Sequence, residues 1–475
     1  MRAFRTGDRL NVRRPGFARC TDLLAALALL AIFILAGWKI ASRPPAPDFL
    51  LLPRQEASAA SALPAAQASG PATTVPLRQR SPDGRFEFDA RFVSSAPGQA
   101  VHAASLVELR DGRLRAVWFS GSREGAGDVA IKTSVMDAAS LRWSEETTLF
   151  DRKQLQQDLW RYVKKIGNPV IARMPDGSLV LWMVNVSVGG WAGSSISWAR
   201  STDDGDSWSP ARRLVSSPFI NISTLVKGAP VFYQNGQMGL PVYHEFVTKF
   251  AEILRLGPQG QVIDKVRIPG SQNSLQPVVL VGGARQAQAY MRSGSSTAVM
   301  ASSTGDAGAT WAPVHATAWP NPDSALAGVV TATDQQWLVL NPQPKNREAL
   351  ALLQTAPGSS FDGARPWIVE SSPSPGTRLP VSDYERLLGD ELRARGASRA
   401  QAQADVDSAK RQLCGADTCS QEFSYPYLLQ SRDGYLHLVY TWHRSRIKHV
   451  RLDPRQVLQP DAASPAASHA ASAAH

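Results

Sequence analysis

The side chains of this chain best suited to chemistry lie near its C-terminal end. Glu422 to Asp433 reads E-F-S-Y-P-Y-L-L-Q-S-R-D and is followed by Gly434 and the strand-like run Tyr435 to Trp442. At its centre is Tyr425, a phenol that can act as nucleophile or base, with the carboxylate of Glu422 three residues before it. Trp442 to His449, W-H-R-S-R-I-K-H, is either a strand with alternating solvated charges or a contact to an anionic glycan. Other groups of the right type are His102, Glu124, Asp128 and Glu245. No G-x-G-x-x-G after a strand, no Walker loop and no H-E-x-x-H occurs, so no nucleotide cofactor is expected. Cys414 and Cys419 are spaced for a local disulfide, and no second Cys or His cluster completes a metal site. No cofactor and no metal are expected.

These residues need a scaffold, and the pattern for it is β throughout. Short apolar runs such as Ala104 to Leu109, Leu114 to Phe119, Val129 to Ser134, Pro169 to Arg173 and Leu179 to Val184 are separated by D-G, N-G and G-G turns. The turn recurs in like surroundings, at Leu109 to Leu114, Met174 to Leu179 and Ser431 to Leu436, each closing a hairpin. Repeated four-strand units imply an all-β propeller. One stretch breaks the pattern: Ser382 to Glu385 and Ser398 to Gln401 fit capping boxes, which predict helices over Asp383 to Arg395 and Arg399 to Leu413. The insertion, 381 to 419, is then a helical hairpin fastened by Cys414 and Cys419, either a surface addition or a lid ending just before Tyr425.

The ends of the chain differ from its middle. Leu23 to Ala41 is nearly all apolar and long enough to be a transmembrane signal anchor, with Trp38 at the interface. Six arginines precede it, which keeps residues 1–22 in the cytoplasm and sends the rest across the inner membrane to the periplasmic or extracellular side. A cleaved signal peptide is the rival, but no clear A-x-A site follows. Residues 42–77 and 455–475, rich in Ala, Pro and Ser, read as a flexible linker and a disordered tail, leaving 78–454 for the propeller. The net charge of +11 owes much to those six arginines, and no basic run interleaved with aromatics points to nucleic acid.

Two copies of a sharper motif, Ser201 to Trp208 (S-T-D-D-G-D-S-W) and Thr304 to Trp311 (T-G-D-A-G-A-T-W), fit the Asp box, S/T-x-D-x-G-x-S/T-W. In it an Asp carboxylate bonds turn amides, Gly takes a conformation closed to other residues, and Trp packs into the blade. With these boxes, Val101 to Leu452 resembles the bacterial sialidase (neuraminidase) family and its BNR-repeat relatives. The resemblance implies a six-bladed propeller and an exo-acting glycosidase that releases terminal sialic acid or a related acidic sugar from glycans. In that family three arginines bind the sugar carboxylate, a glutamate-assisted tyrosine is nucleophile, and an aspartate is acid/base. A neutral phenol attacks because a carboxylate nucleophile would be repelled by an anionic substrate.

Carried over residue by residue, the resemblance makes Tyr425 the nucleophile and Arg292 and Arg347 two of the carboxylate-binding arginines. Arg123 and Asp128 match the strand-end arginine and the acid/base, with Glu124 a competing acid. Two positions depart. His102 stands where the family has its first arginine, and Gln276 stands at the glutamate position, where an amide cannot take the phenol proton. Glu245 and Glu422 are carboxylates that could substitute. A non-catalytic glycan-binding propeller, or a polysaccharide lyase with Tyr425 or His102 as base, are the alternatives these departures raise.

Overall fold

The computed structural model of the protein describes residues 16–41, 45–51, 78–217, 221–295 and 297–458. Alternation of apolar and polar residues between tight turns has produced six antiparallel sheets, the blades of a propeller. Their innermost strands are Ala100–Glu108, Lys165–Arg173, Leu225–Val226 with Val231–Phe232, Ser274–Val281, Ala327–Val330 and Phe423–Gln430. Of these, Ala100–Glu108, Lys165–Arg173 and Ser274–Val281 are nearly continuously buried. Trp118, Trp182 and Trp337 are fully buried between blades.

The ring is closed by pairing the two ends of the propeller. Phe423–Gln430, Leu436–Trp442 and Arg446–Leu452 are joined in one sheet by Glu87–Phe92 and Arg78–Arg80. Blade six therefore takes three strands from the end of the chain and two from the start of the propeller.

Both Asp boxes form as expected. The Asp203 carboxylate accepts from the Ser207 amide at 3.0 Å and from the Ser201 hydroxyl at 2.7 Å, and Gly205 has a φ of +93°. Asp306 repeats this with the Thr310 amide at 2.8 Å and the Thr304 hydroxyl at 2.8 Å. Both carboxyls are held below the usual carboxylate range. Hydrogen bonds from Ser207 do this for Asp203; for Asp306 those from Thr310 and Thr304 outweigh its burial.

The insertion is a helical hairpin, Val381–Ala394 and Arg399–Leu413. Ser398 and Gln401 make the expected reciprocal capping box. Ser382 does not cap: the first helix begins earlier, after Pro380, whose fixed φ already suits a helix start and which has no side-chain acceptor. Cys414 and Cys419 are disulfide-bonded. The hairpin packs down onto blade six, with Tyr384 and Leu388 buried in its core.

At the N-terminus a helix spans Gly16–Ala41, and its apolar side chains from Leu23 to Leu35, with Trp38, are exposed. The expected transmembrane anchor is not reproduced: among the described residues no helix is long and apolar enough to cross a membrane. The linker expected over 42–77 is in part an ordered segment. Phe49 is buried and stacks on Tyr233, its amide donates to the Ala284 carbonyl at 2.7 Å, and Asp48 pairs with Arg285. The rest of that linker, 42–44 and 52–77, lies outside the described residues, as do residues 1–15 of the basic segment and the tail from 459 onward.

Candidate active site

Four inner strands carry the same irregularity at the same place. Pairing with the second strand skips two residues in each, at Ala103–Ala104, Asn168–Pro169, Gln276–Pro277 and Tyr425–Pro426. The first residue of each pair has a positive φ, between 42° and 55°. In three of the four the second is proline, which has no amide hydrogen to give to a ladder and fits a bulge. Such bulges re-aim a side chain, and here they turn Asn168, Gln276 and Tyr425 towards one another.

At the centre is the Tyr425 hydroxyl. Its oxygen accepts from Arg292 Nη1 at 3.1 Å and from Gln276 Nε2 at 3.2 Å. The Gln276 amide is oriented by Arg292, whose Nη1 donates to Gln276 Oε1 at 3.2 Å. Gln276 Nε2 also reaches the hydroxyl of Tyr243 at 3.3 Å, and Asn168 Nδ2 donates to the same hydroxyl at 3.2 Å. The His102 ring lies against that of Tyr425, with centroids 4.1 Å apart.

Three arginines surround this group. Arg292 pairs with Asp323 at 2.6 Å, and Arg347 donates to the Asp323 carbonyl at 2.7 Å and to Glu422 Oε1 at 3.3 Å. The third is Arg444, at the tip of the last hairpin, where His443 and Arg444 both adopt positive φ. Its guanidinium bridges Glu422 at 3.0 Å and Glu124 at 3.2 Å. Burial pushes the Glu422 carboxyl up, but Arg444 and Arg347 outweigh that and keep it ionised. His102 is driven the other way: burial, then the charges of Arg444, Arg347, Lys227 and Arg292, hold it well below 6.5, so it is a neutral ring near pH 7.

The helical hairpin supports Arg444. The Tyr384 hydroxyl bonds His443 Nδ1 at 3.1 Å, Gln412 Nε2 donates to the Arg444 carbonyl at 3.3 Å, and Arg446 forms a buried ion pair with Asp405. The insertion is therefore a buttress under the hairpin tip.

Clefts of about 430 Å³, bordered by Arg347, Glu422 and Gln412, and about 370 Å³, bordered by Glu245 and Lys249, open beside the cluster. Burial raises the Glu245 carboxyl above its ordinary value. Lys249 and Arg292 pull against this, while Asp323 and Glu124 add to it. It is the carboxyl of the group best disposed to hold a proton.

Of the residues singled out from sequence, the structure brings together Tyr425, His102, Gln276, Arg292 and Arg347, with Glu124 joined through Arg444. Arg123 and Asp128 are not in contact with this group. Asp128 is exposed and bonds the amide and hydroxyl of Ser122 at 2.9 and 3.0 Å, so it closes its own loop, on which Arg123 is exposed. Sequence reasoning reached Arg444 only within the basic run Trp442 to His449 and overlooked Asp323, Tyr243 and Asn168. The recurring x-Pro at matching points of the inner strands, N-P-V-I, Q-P-V-V and Y-P-Y-L, is a signal that could have revealed Asn168.

The family profile of BNR repeat-like domains matches residues 112–438. The chain belongs to this family. No curated protein matches its sequence. Among solved structures it is similar to a Hadza microbial sialidase, with a TM-score of 0.55 at 12% identity over 75% of this chain and 66% of that one. The NanB sialidase from Streptococcus pneumoniae gives a TM-score of 0.55 at 9% identity over 76% of this chain and 70% of that one. A Dyadobacter fermentans protein of unknown function gives a TM-score of 0.57 at 10% identity, covering 80% of this chain and all of that one. At such identities the likeness establishes a sialidase-like BNR propeller fold.

Proposed function

We propose that this BNR-family propeller is a glycosidase that removes a terminal acidic sugar, with Tyr425 as nucleophile. The observation that carries the reading is the Tyr425 hydroxyl oxygen held by Arg292 and Gln276 within reach of Arg347 and Arg444. Arg292, Arg347 and Arg444 bind the sugar carboxylate, since guanidinium forks match its two oxygens. Arg444 takes the place that the first family arginine leaves empty at His102.

Tyr425 attacks the anomeric carbon and loses its proton to cleft water, while Glu245 gives its proton to the departing oxygen. Water then displaces the tyrosyl link, with Glu245 as base, and configuration is retained. Donors on the phenol oxygen stabilise the charge that develops there. Turnover of a fluorogenic aryl sialoside by the protein, abolished by Tyr425→Phe and reduced by Glu245→Gln, is the expected result. Undiminished turnover by Tyr425→Phe sinks the mechanism.

Gln276 favours a second reading, a non-catalytic glycan-binding propeller, because among the described residues no carboxylate bonds Tyr425. Glycans retained intact on an array, with no aryl glycoside turned over, would decide for it. The propeller is further proposed to work outside the cytoplasm, which the Cys414–Cys419 disulfide supports. Attachment to the inner membrane, with the exposed residues Leu23 to Trp38 facing lipid, belongs to the same proposal. Retention in the pellet after carbonate extraction, and digestion by protease added to spheroplasts, are the expected results.

A further inference from the structure

Lys227 lies just past the innermost pairing of blade three and is 3% exposed. Among the described residues no carboxylate pairs with it. Its ammonium donates to the Pro426 carbonyl at 2.8 Å and lies 5.9 Å from the centroid of the Tyr425 ring and 5.7 Å from that of Tyr427. Burial alone pulls it down to about 7. The next residue has to be glycine: a Cβ on Gly228 would come within 2.3 Å of the Pro277 carbonyl. The segment thus runs hard against the blade-four bulge that aims Gln276, while its lysine reaches the blade-six bulge that aims Tyr425.

An unpaired buried ammonium is costly and contributes nothing to stability that a methionine would not supply better. Perturbed charges of this kind gather at functional sites. The titratable groups facing it are Tyr425 and Tyr427 on blade six and His102 on blade one; burial keeps the Tyr427 phenol protonated and His102 a neutral ring.

We propose that Lys227 is a positioning residue for Tyr425: it fixes the Tyr425–Pro426 bulge through the Pro426 carbonyl and sets a positive charge behind the phenol. This rests on the tyrosine-nucleophile reading, and gives that mechanism an electrostatic replacement for the missing glutamate. The charge helps only while negative charge builds on the phenol oxygen, so it acts on kcat. Substrate binding through the three arginines is untouched.

The test compares the full chain with Lys227→Met and Lys227→Gln, the second keeping a donor for the Pro426 carbonyl without the charge. With a fluorogenic aryl sialoside, Lys227→Met should lower kcat roughly 10- to 100-fold with KM within about twofold. Its Tm should rise by several degrees, because a buried charge has gone. Lys227→Gln should lower kcat as well, and it decides the matter if the methionine variant does not fold. The second readout needs no turnover: acetylation of Tyr425 by N-acetylimidazole, measured by peptide mapping against exposed Tyr162, should slow several-fold in both variants. Unchanged kcat and unchanged labelling overturn the inference while leaving the nucleophile reading intact. Slower labelling in a protein that turns over no glycoside supports the action of Lys227 on Tyr425 and sinks the nucleophile reading.

Discussion

Replacing Gln276 by glutamate would put a carboxylate where the tyrosine mechanism has most need of one. The side chain is already placed for it, with Nε2 3.2 Å from the Tyr425 hydroxyl and Oε1 3.2 Å from Arg292 Nη1. At an effective dielectric of ~20, a carboxylate 3.2 Å from Arg292 gains about 5 kcal/mol of attraction. Removing it from water costs several kcal/mol, so the two nearly cancel and Tm should move by only a few degrees. The kinetic effect does not cancel. Glutamine donates to the phenol oxygen and cannot take its proton, whereas glutamate accepts that proton as Tyr425 attacks. A well-placed general base is worth ~10²- to 10⁴-fold, and a rise in kcat of at least ~10²-fold is expected for Gln276→Glu. The assay is steady-state hydrolysis of a fluorogenic aryl sialoside, with circular dichroism and a melting curve to show that the variant is folded. A folded variant with equal or lower kcat would mean that proton removal from Tyr425 does not limit the reaction, and the role given to Gln276 would be wrong.

Three further predictions concern the surroundings of Tyr425. Arg444→Ala should weaken kcat/KM for a carboxylate-bearing substrate by roughly 10- to 100-fold, the value of one charge-assisted bidentate contact, whereas Arg123→Ala should stay near wild type; steady-state kinetics on the pair separates them. His102, His437, His443 and His449 are buried and held below 6.5 mainly by burial, His437 and His443 at about 3. The unfolded chain therefore binds protons that the native chain does not: their contribution is complete above pH 6.5 and is lost as pH falls towards 3. Urea unfolding should show stability falling by at least ~2 kcal/mol between pH 6.5 and 5, above the range where carboxylates titrate, and a flat profile there would refute it. Tyr384→Phe, which removes the bond to His443 from the helical hairpin, should cost ~1 kcal/mol in stability by urea unfolding and raise KM more than it lowers kcat.

The propeller was legible because its signals are local: alternation, D-G turns and Asp boxes are each written within a few residues. Asp203 and Asp306 bond only atoms of their own turns, so sequence alone defines what they do. Tyr425, Arg292 and Arg347 lie on inner or second strands and their immediate turns, where position along the chain translates into position at the axis. Asp128 failed that translation, since loop residues such as Ser122 compete for a carboxylate and no strand pattern fixes the outcome. Arg444 was legible only as part of the basic run Trp442 to His449, for a different reason. It reaches the cluster because His443 and Arg444 take left-handed conformations and a helical hairpin holds them there, and its distance in sequence from His102 conceals the exchange. The insertion, expected as either a surface addition or a lid, is a buttress because Tyr384 and Leu388 are buried against blade six.

The closure of the ring by Arg78–Arg80 and Glu87–Phe92 bears on when a working site can exist. During synthesis these two strands emerge early and must wait, with their pairing edge unfilled, until Arg446–Leu452 arrives at the far end. Tyr425 and Arg444 are made in the same late stretch, so a nascent chain that stops before it holds two of the three clustered arginines and lacks Tyr425. A chain cut short before Leu452 leaves blade six unsealed and exposes the Glu87–Phe92 edge to any other extended segment. A chain released before Tyr425 lacks the proposed nucleophile, and quality control acting on the open ring would remove such molecules.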